Sequence, residues 1–182
     1  MAIRKTAVAA SVPISEHKRI VSSEHLADGA LPELSEFEFG LIVVNNAFSR
    51  WVVRCMAAAG MPDLAVTDVL LLHHVHHRGK GKKLADICFT LNYEDSHIVA
   101  YSLRKLVAQG LIDTKKSGKE VFYASSFKGQ QWVQKYRDVR NSCLMPGVKA
   151  QHLDGASLAE MAQTLRSLSG LYDQAARAAA SL

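Results

Sequence analysis

Residues 84–125 read LADICFTLNYEDSHIVAYSLRKLVAQGLIDTKKSGKEVFYAS, and the fold turns on this stretch. Leu84, Ala85, Ile87, Cys88 and Leu91 place apolar side chains on one face of a short helix, about Lys83–Leu91. Asn92–Asp95 is dense in turn and capping residues. A second helix follows over roughly Ser96–Gln109, with Val99, Leu103, Leu106 and Val107 as its inward stripe. Asn92 and Asp95 are both able to cap it, and the sequence does not choose between them. Gly110 sits where a helix C′ residue belongs. From Leu111 the period drops to two: Leu111–Lys116 and Glu120–Ser125 are strand-like runs joined by the turn signal Ser117-Gly118.

Working outward, the chain is helical on both sides of this stretch. Phe37, Leu41, Val44, Phe48, Trp51, Val52 and Cys55 recur at helical spacing, and Gly60-Met61-Pro62 ends that run. Thr67 opens another helix to about His77, with Val69, Leu70, Leu72 and Val75 apolar, broken by Gly79 and Gly81. Beyond the hairpin, helical spacing returns from Phe127 through Trp132, Val133, Tyr136, Val139 and Cys143, and Met145-Pro146-Gly147 stops it. Leu158, Met161, Leu165, Leu168, Tyr172, Ala175, Ala179 and Leu182 then alternate in steps of three and four, a heptad stripe that suits packing on another subunit. Residues 1–32 hold no sustained period and read as a flexible arm.

The sum is a mainly α chain with a small β-hairpin wing, a winged helix-turn-helix flanked by long N- and C-terminal dimerisation helices. The segments expected are an arm at 1–33, a first long helix at 34–62, a winged helix-turn-helix at 63–126, and C-terminal dimerisation helices at 127–182.

Charge supports a polyanionic partner. The net charge is +5, and residues 78–119 carry nine Lys or Arg against four Asp or Glu, +5 by themselves. Apolar runs such as Phe39–Val44 fall far short of the roughly 18 residues a membrane span needs. The short N-terminal apolar run, closed by Pro13, does not read as a signal peptide. Three scattered cysteines, Cys55, Cys88 and Cys143, suit reduced core thiols in the cytoplasm. No GxSxG, phosphate-binding glycine loop or HExxH motif is present, which argues against an enzyme. His73 and His77 share a helix face, yet no cysteine or carboxylate lies beside them in sequence, so no metal and no cofactor is assigned.

The order of elements, with Leu84-Ala85 in the brace helix, Val99…Leu103…Leu106 running into Gly110-Leu111-Ile112, and Ser125-Ser126-Phe127-Lys128-Gly129 after the wing, resembles the MarR family of bacterial transcription regulators. The resemblance covers about residues 34–182. It implies a homodimer on double-stranded DNA, reading a pseudo-palindromic operator, with a small-molecule effector. Ser96, His97, Ala100 and Tyr101 are the candidates for base edges, with Arg104 or Lys105 on phosphate. Lys115, Lys116 and Lys119 on the wing and Lys82 and Lys83 before the brace helix complete the set. The resemblance also implies a ligand crevice near Trp51, His73 and Tyr136, and a dimer interface through Leu158, Met161, Leu165, Leu168 and Tyr172. The family's wing arginine has no counterpart in Lys115-Lys116-Ser117-Gly118-Lys119. That absence and the acidic Glu94-Asp95 keep one alternative in view, a winged helix serving as a protein-interaction module; a constitutive architectural DNA binder without ligand response is a third reading.

Overall fold

The structure, a computed structural model, describes residues 31–182. Its elements are α1 (Pro32–Ala59), α2 (Val66–His76), a 3-10 turn (His77–Gly79), α3 (Leu84–Leu91), α4 (Ser96–Ala108), β1 (Ile112–Ser117), β2 (Glu120–Ser125), α5 (Phe127–Cys143), α6 (Met145–Ala150) and α7 (Gly155–Ala179). Residues 1–30 of the expected arm lie outside the described residues, and Pro32 and Glu33 already belong to α1.

The described residues fall into two units, divided between Asn46 and Ala47. In the first, the described part of α1 leaves Phe39, Ile42, Val43 and Val44 exposed. The stripe read along α1 is therefore enclosed only further on, at Val52, Cys55 and Met56; Val44 and Phe48 face solvent.

In the second unit, one core joins Val52, Cys55 and Met56 of α1 to Val69, Leu71, Leu72 and Val75 of α2. Ile87 of α3, Val99, Leu103 and Leu106 of α4, and Val133 and Tyr136 of α5 complete it. Asp68, itself 2% exposed, fastens two helices at once. Its Oδ2 accepts from the Ala65 backbone N–H at 2.9 Å, closing the α2 N-terminus, and from Lys105 Nζ of α4 at 2.6 Å.

The strands form an antiparallel hairpin in which Ile112 faces Ser125 and Ser117 faces Glu120. Gly118 opens the two-residue turn at φ +60°, a conformation that glycine adopts freely. Lys82 pairs through both backbone groups with Tyr123 at 2.9 Å, adding one residue of a third strand beside β2.

The SSFKG stretch locks the wing to the next helix. Ser126 Oγ donates to Gly110 O at 2.7 Å and accepts from Gly129 N at 3.0 Å, capping α5. A Cβ on Gly129 would lie 2.1 Å from the Leu111 carbonyl oxygen, so only glycine fits there.

One expectation is extended and another corrected. The helix from Phe127 does end just before Met145-Pro146-Gly147, at Cys143, but a further short helix starts there, with Pro146 in the first turn of α6, where its missing N–H costs nothing. Cys143 is exposed at the end of α5 rather than enclosed, while Cys55 and Cys88 are buried.

Candidate nucleic-acid interface

Asp95, not Asn92, caps α4: its Oδ1 accepts from the His97 backbone N–H at 2.8 Å. Its carboxylate thus serves the helix end, where negative charge is favourable. Asn92 instead ends α3 in the left-handed region at φ 55°, ψ 44°. The capped α4 buries Val99, Leu103 and Leu106 completely and turns His97, Tyr101 and Arg104 outward. Tyr101 is 67% exposed, Ser96 is also exposed, and Ala100 is half-buried. Ile98, which sequence reasoning passed over, is 49% exposed. The signal for it was its place off the Val99–Leu103–Leu106 line.

The wing lysines separate by register. Lys115 faces Phe122 across the hairpin and Lys116 faces Val121, so the two point to opposite faces of the ribbon. Both are exposed, as is Lys119 in the turn.

Three predicted contact lysines have partners inside the chain. Lys82 Nζ donates to the carbonyls of His74 and His77, the latter at 2.7 Å, and closes the end of α2. Burial, with Arg78 nearby, lowers its pKa from the ordinary lysine value. Lys83 pairs with Glu120 at the start of β2, and that hydrogen bond raises its pKa. Lys105 is drawn into its pair with Asp68 and also donates to Asp63 O at 2.9 Å. Such partners, up to 42 residues away in sequence, leave no local signal.

The residues expected around a crevice do come together. The rings of His73 and Tyr136 meet edge-on at a centroid distance of 4.5 Å. Burial, reinforced by the Cys55 thiol, pushes the Tyr136 phenol up to about 12. Cys55 Sγ donates to the Tyr136 backbone carbonyl at 3.5 Å, and burial raises its pKa as well. His73 Nδ1 bonds Val69 O at 2.8 Å, whereas its buried Nε2 has no hydrogen-bond partner. Burial lowers the His73 pKa, and Arg137 lowers it further against the opposing Val69 bond. Among the described residues no group of three or more His, Cys, Asp or Glu is placed to hold a metal ion.

The residues of the expected dimer stripe lie on α7, which has no buried residue. Leu158, Met161, Leu165 and Tyr172 are 43, 48, 46 and 37% exposed, and Leu168 is half-buried.

A helix braced by α3, its outer face free, beside a lysine-bearing hairpin is the geometry of a DNA-reading head. A sequence model described as a winged helix DNA-binding domain matches residues 64–129. This segment is a winged helix domain. Solved structures extend the likeness to the flanking helices. A MarR-family transcriptional regulator from a Rhodococcus species superposes with a TM-score of 0.61 at 16% identity, over 74% of this chain and 93% of that one. AbfR of Staphylococcus epidermidis gives 0.62 at 15%, over 78% and 92%. CouR from Rhodococcus jostii, bound to p-coumaroyl-CoA, gives 0.60 at 15%, over 72% and 90%. The winged helix domain therefore sits in the fold of MarR-type regulators. No curated protein sequence matches the chain significantly. Among the described residues no helix is long and apolar enough to cross a membrane.

Proposed function

We propose that the chain is a cytoplasmic, sequence-specific transcriptional regulator of MarR type that binds a pseudo-palindromic operator as a homodimer. The observation that carries this reading is the two-sidedness of α4. Its inner face is fully enclosed, and its outer face offers Ser96, His97, Tyr101 and Arg104 beside the exposed Lys115, Lys116 and Lys119 of the wing. A helix of about 10–12 Å diameter fits the major groove, which is about 12 Å wide. Arg104 and the wing lysines would supply phosphate affinity, and His97, Ala100 and Tyr101 would face base edges. Ser96 joins them from the first turn.

Dimerisation through the Leu158–Tyr172 stripe would set two reading heads about one DNA turn apart. A small effector would bind where Trp51, His73 and Tyr136 meet: His73 Nε2 is a buried polar atom in want of a partner. The neighbour CouR, bound to an aromatic thioester, supports an effector of that kind.

The protein-interaction reading draws support from Phe89, 89% exposed on α3 beside a groove of about 550 Å³ that Tyr93 and Ala176 help to line. Titration of the purified chain against its own upstream DNA and a scrambled duplex, at two salt concentrations, separates the readings. Regulation by DNA binding predicts preference for the upstream duplex, weakened by salt and lost in Tyr101→Ala and Arg104→Ala. No binding to either duplex at low salt, with salt-insensitive capture of a protein, would establish the other.

A further inference from the structure

The outer side of α4 offers more hydrocarbon than charge. Ile98 and Tyr101, three residues apart on neighbouring turns, are 49% and 67% exposed, and the half-buried Ala100 lies on the far side of Tyr101. Ile98 and Lys105, seven residues apart, lie on one line along the helix. Lys105 turns its ammonium inward to Asp68 Oδ2 at 2.6 Å and Asp63 O at 2.9 Å, so it does not cover that flank with a charge. The Asp95 cap on His97 N fixes the first helical turn. Ile98 is branched at Cβ, which in a helix leaves it one strongly preferred χ1 rotamer.

Base edges in the major groove present donors and acceptors, with one hydrocarbon group among them: the C5 methyl of thymine. An isoleucine pressed on any other edge strips water from polar atoms and returns no hydrogen bond. Against a thymine methyl it removes apolar surface from water on both sides. We propose that Ile98 is a specificity-determining residue that selects a thymine in each half-site by packing on its C5 methyl. This inference rests on the DNA-binding reading above and names the base that reading leaves open.

The test uses the full-length chain and a duplex recovered from a random-sequence pool by binding to it. Each thymine is replaced in turn by deoxyuridine, which removes the methyl alone, symmetrically in both half-sites. At one position per half-site the affinity should fall about fourfold per methyl, roughly fifteenfold for the pair, from about 0.8 kcal/mol for each buried carbon. In Ile98→Ala that ratio should collapse towards one, whereas Arg104→Ala should weaken the thymine and uracil duplexes alike. Ile98→Val, which keeps the branched shape, should retain part of the discrimination and serves if the alanine variant folds poorly. The proposal is overturned if no thymine position responds, or if Ile98→Ala discriminates as strongly as the parent. Failure to select any duplex would instead strike the DNA-binding reading itself, and this inference with it.

Discussion

Val99, Leu103 and Leu106 of α4 are completely enclosed, whereas Leu158, Met161 and Leu165 of α7 are 43, 48 and 46% exposed. Both sets follow three- and four-residue spacing, and both helices are capped at their start by an aspartate, Asp95 and Asp154. The spacing makes each helix amphipathic without saying what covers the apolar side. For α4 the cover is α2 and α3 of the same chain. For α7 the described residues cover only about half of each side chain, and enclosing the remainder would be worth about 1 kcal/mol apiece. Among the described residues this stripe stays half-exposed, and it is where the proposed second copy would pack.

The comparison is easiest to break with glycine. Gly129→Ala should be the most damaging single substitution, because the new Cβ would meet the Leu111 carbonyl oxygen at 2.1 Å. A loss of about 3 kcal/mol or more is expected, lowering Tm by roughly 6–12 °C in a calorimetric scan. Unchanged Tm would mean that α5 is not seated on β1 as described.

Asp68→Ala should follow, at about 2–3 kcal/mol in urea unfolding, since it uncaps α2 and strands the Lys105 ammonium. Leu165→Glu should leave thermal stability of the isolated chain nearly untouched but raise the dissociation constant for self-association more than about tenfold. Sedimentation at fixed concentration reads this as a shift to half the mass, and an unshifted mass would remove α7 from the interface.

Acid offers a subtler probe of the enclosed region. Burial is the main cause holding His73, His74 and His76 below their ordinary pKa of 6.5, and nearby Arg137 and Lys82 add to it. The unfolded chain then binds protons that the folded chain refuses. Stability should be level above about pH 6.5 and should fall as pH drops below it, until the folded imidazoles protonate too. Urea midpoints at several pH values check the sign, and a rise on acidification would contradict it. The smallest effect belongs to Gly170→Ala in α7, where an added Cβ meets nothing within 4 Å. There the helix should gain about 0.5–1 kcal/mol, the opposite outcome to Gly129 from the same substitution.

Most of the fold was legible because periodicity and caps are local. The 3- and 4-residue spacing marked α2, α4 and α5 to within a residue or two, and Ser117-Gly118 marked the hairpin turn. What escaped depends on tertiary partners or on two meanings of one residue. Asn92 and Asp95 both suit a cap, and the backbone put one at each end of the turn. Pro146 reads equally as a stop or a first-turn residue. At the candidate interface, His97, Tyr101 and Arg104 follow directly from the α4 stripe, but the inward turn of Lys105 requires Asp68, which lies on another helix. Ile98, off the Val99–Leu103–Leu106 line, entered neither the inward stripe nor the contact set, because an apolar side chain carries no hydrogen-bonding signal for a base edge.

One titration joins the two regions most directly: the stoichiometry and affinity of the full-length chain on its selected duplex, measured by sedimentation for the parent and for Leu165→Glu. The account predicts two parent chains per duplex and much weaker binding of single Leu165→Glu chains. Tight binding of one parent chain per duplex, unaffected by Leu165→Glu, would contradict it.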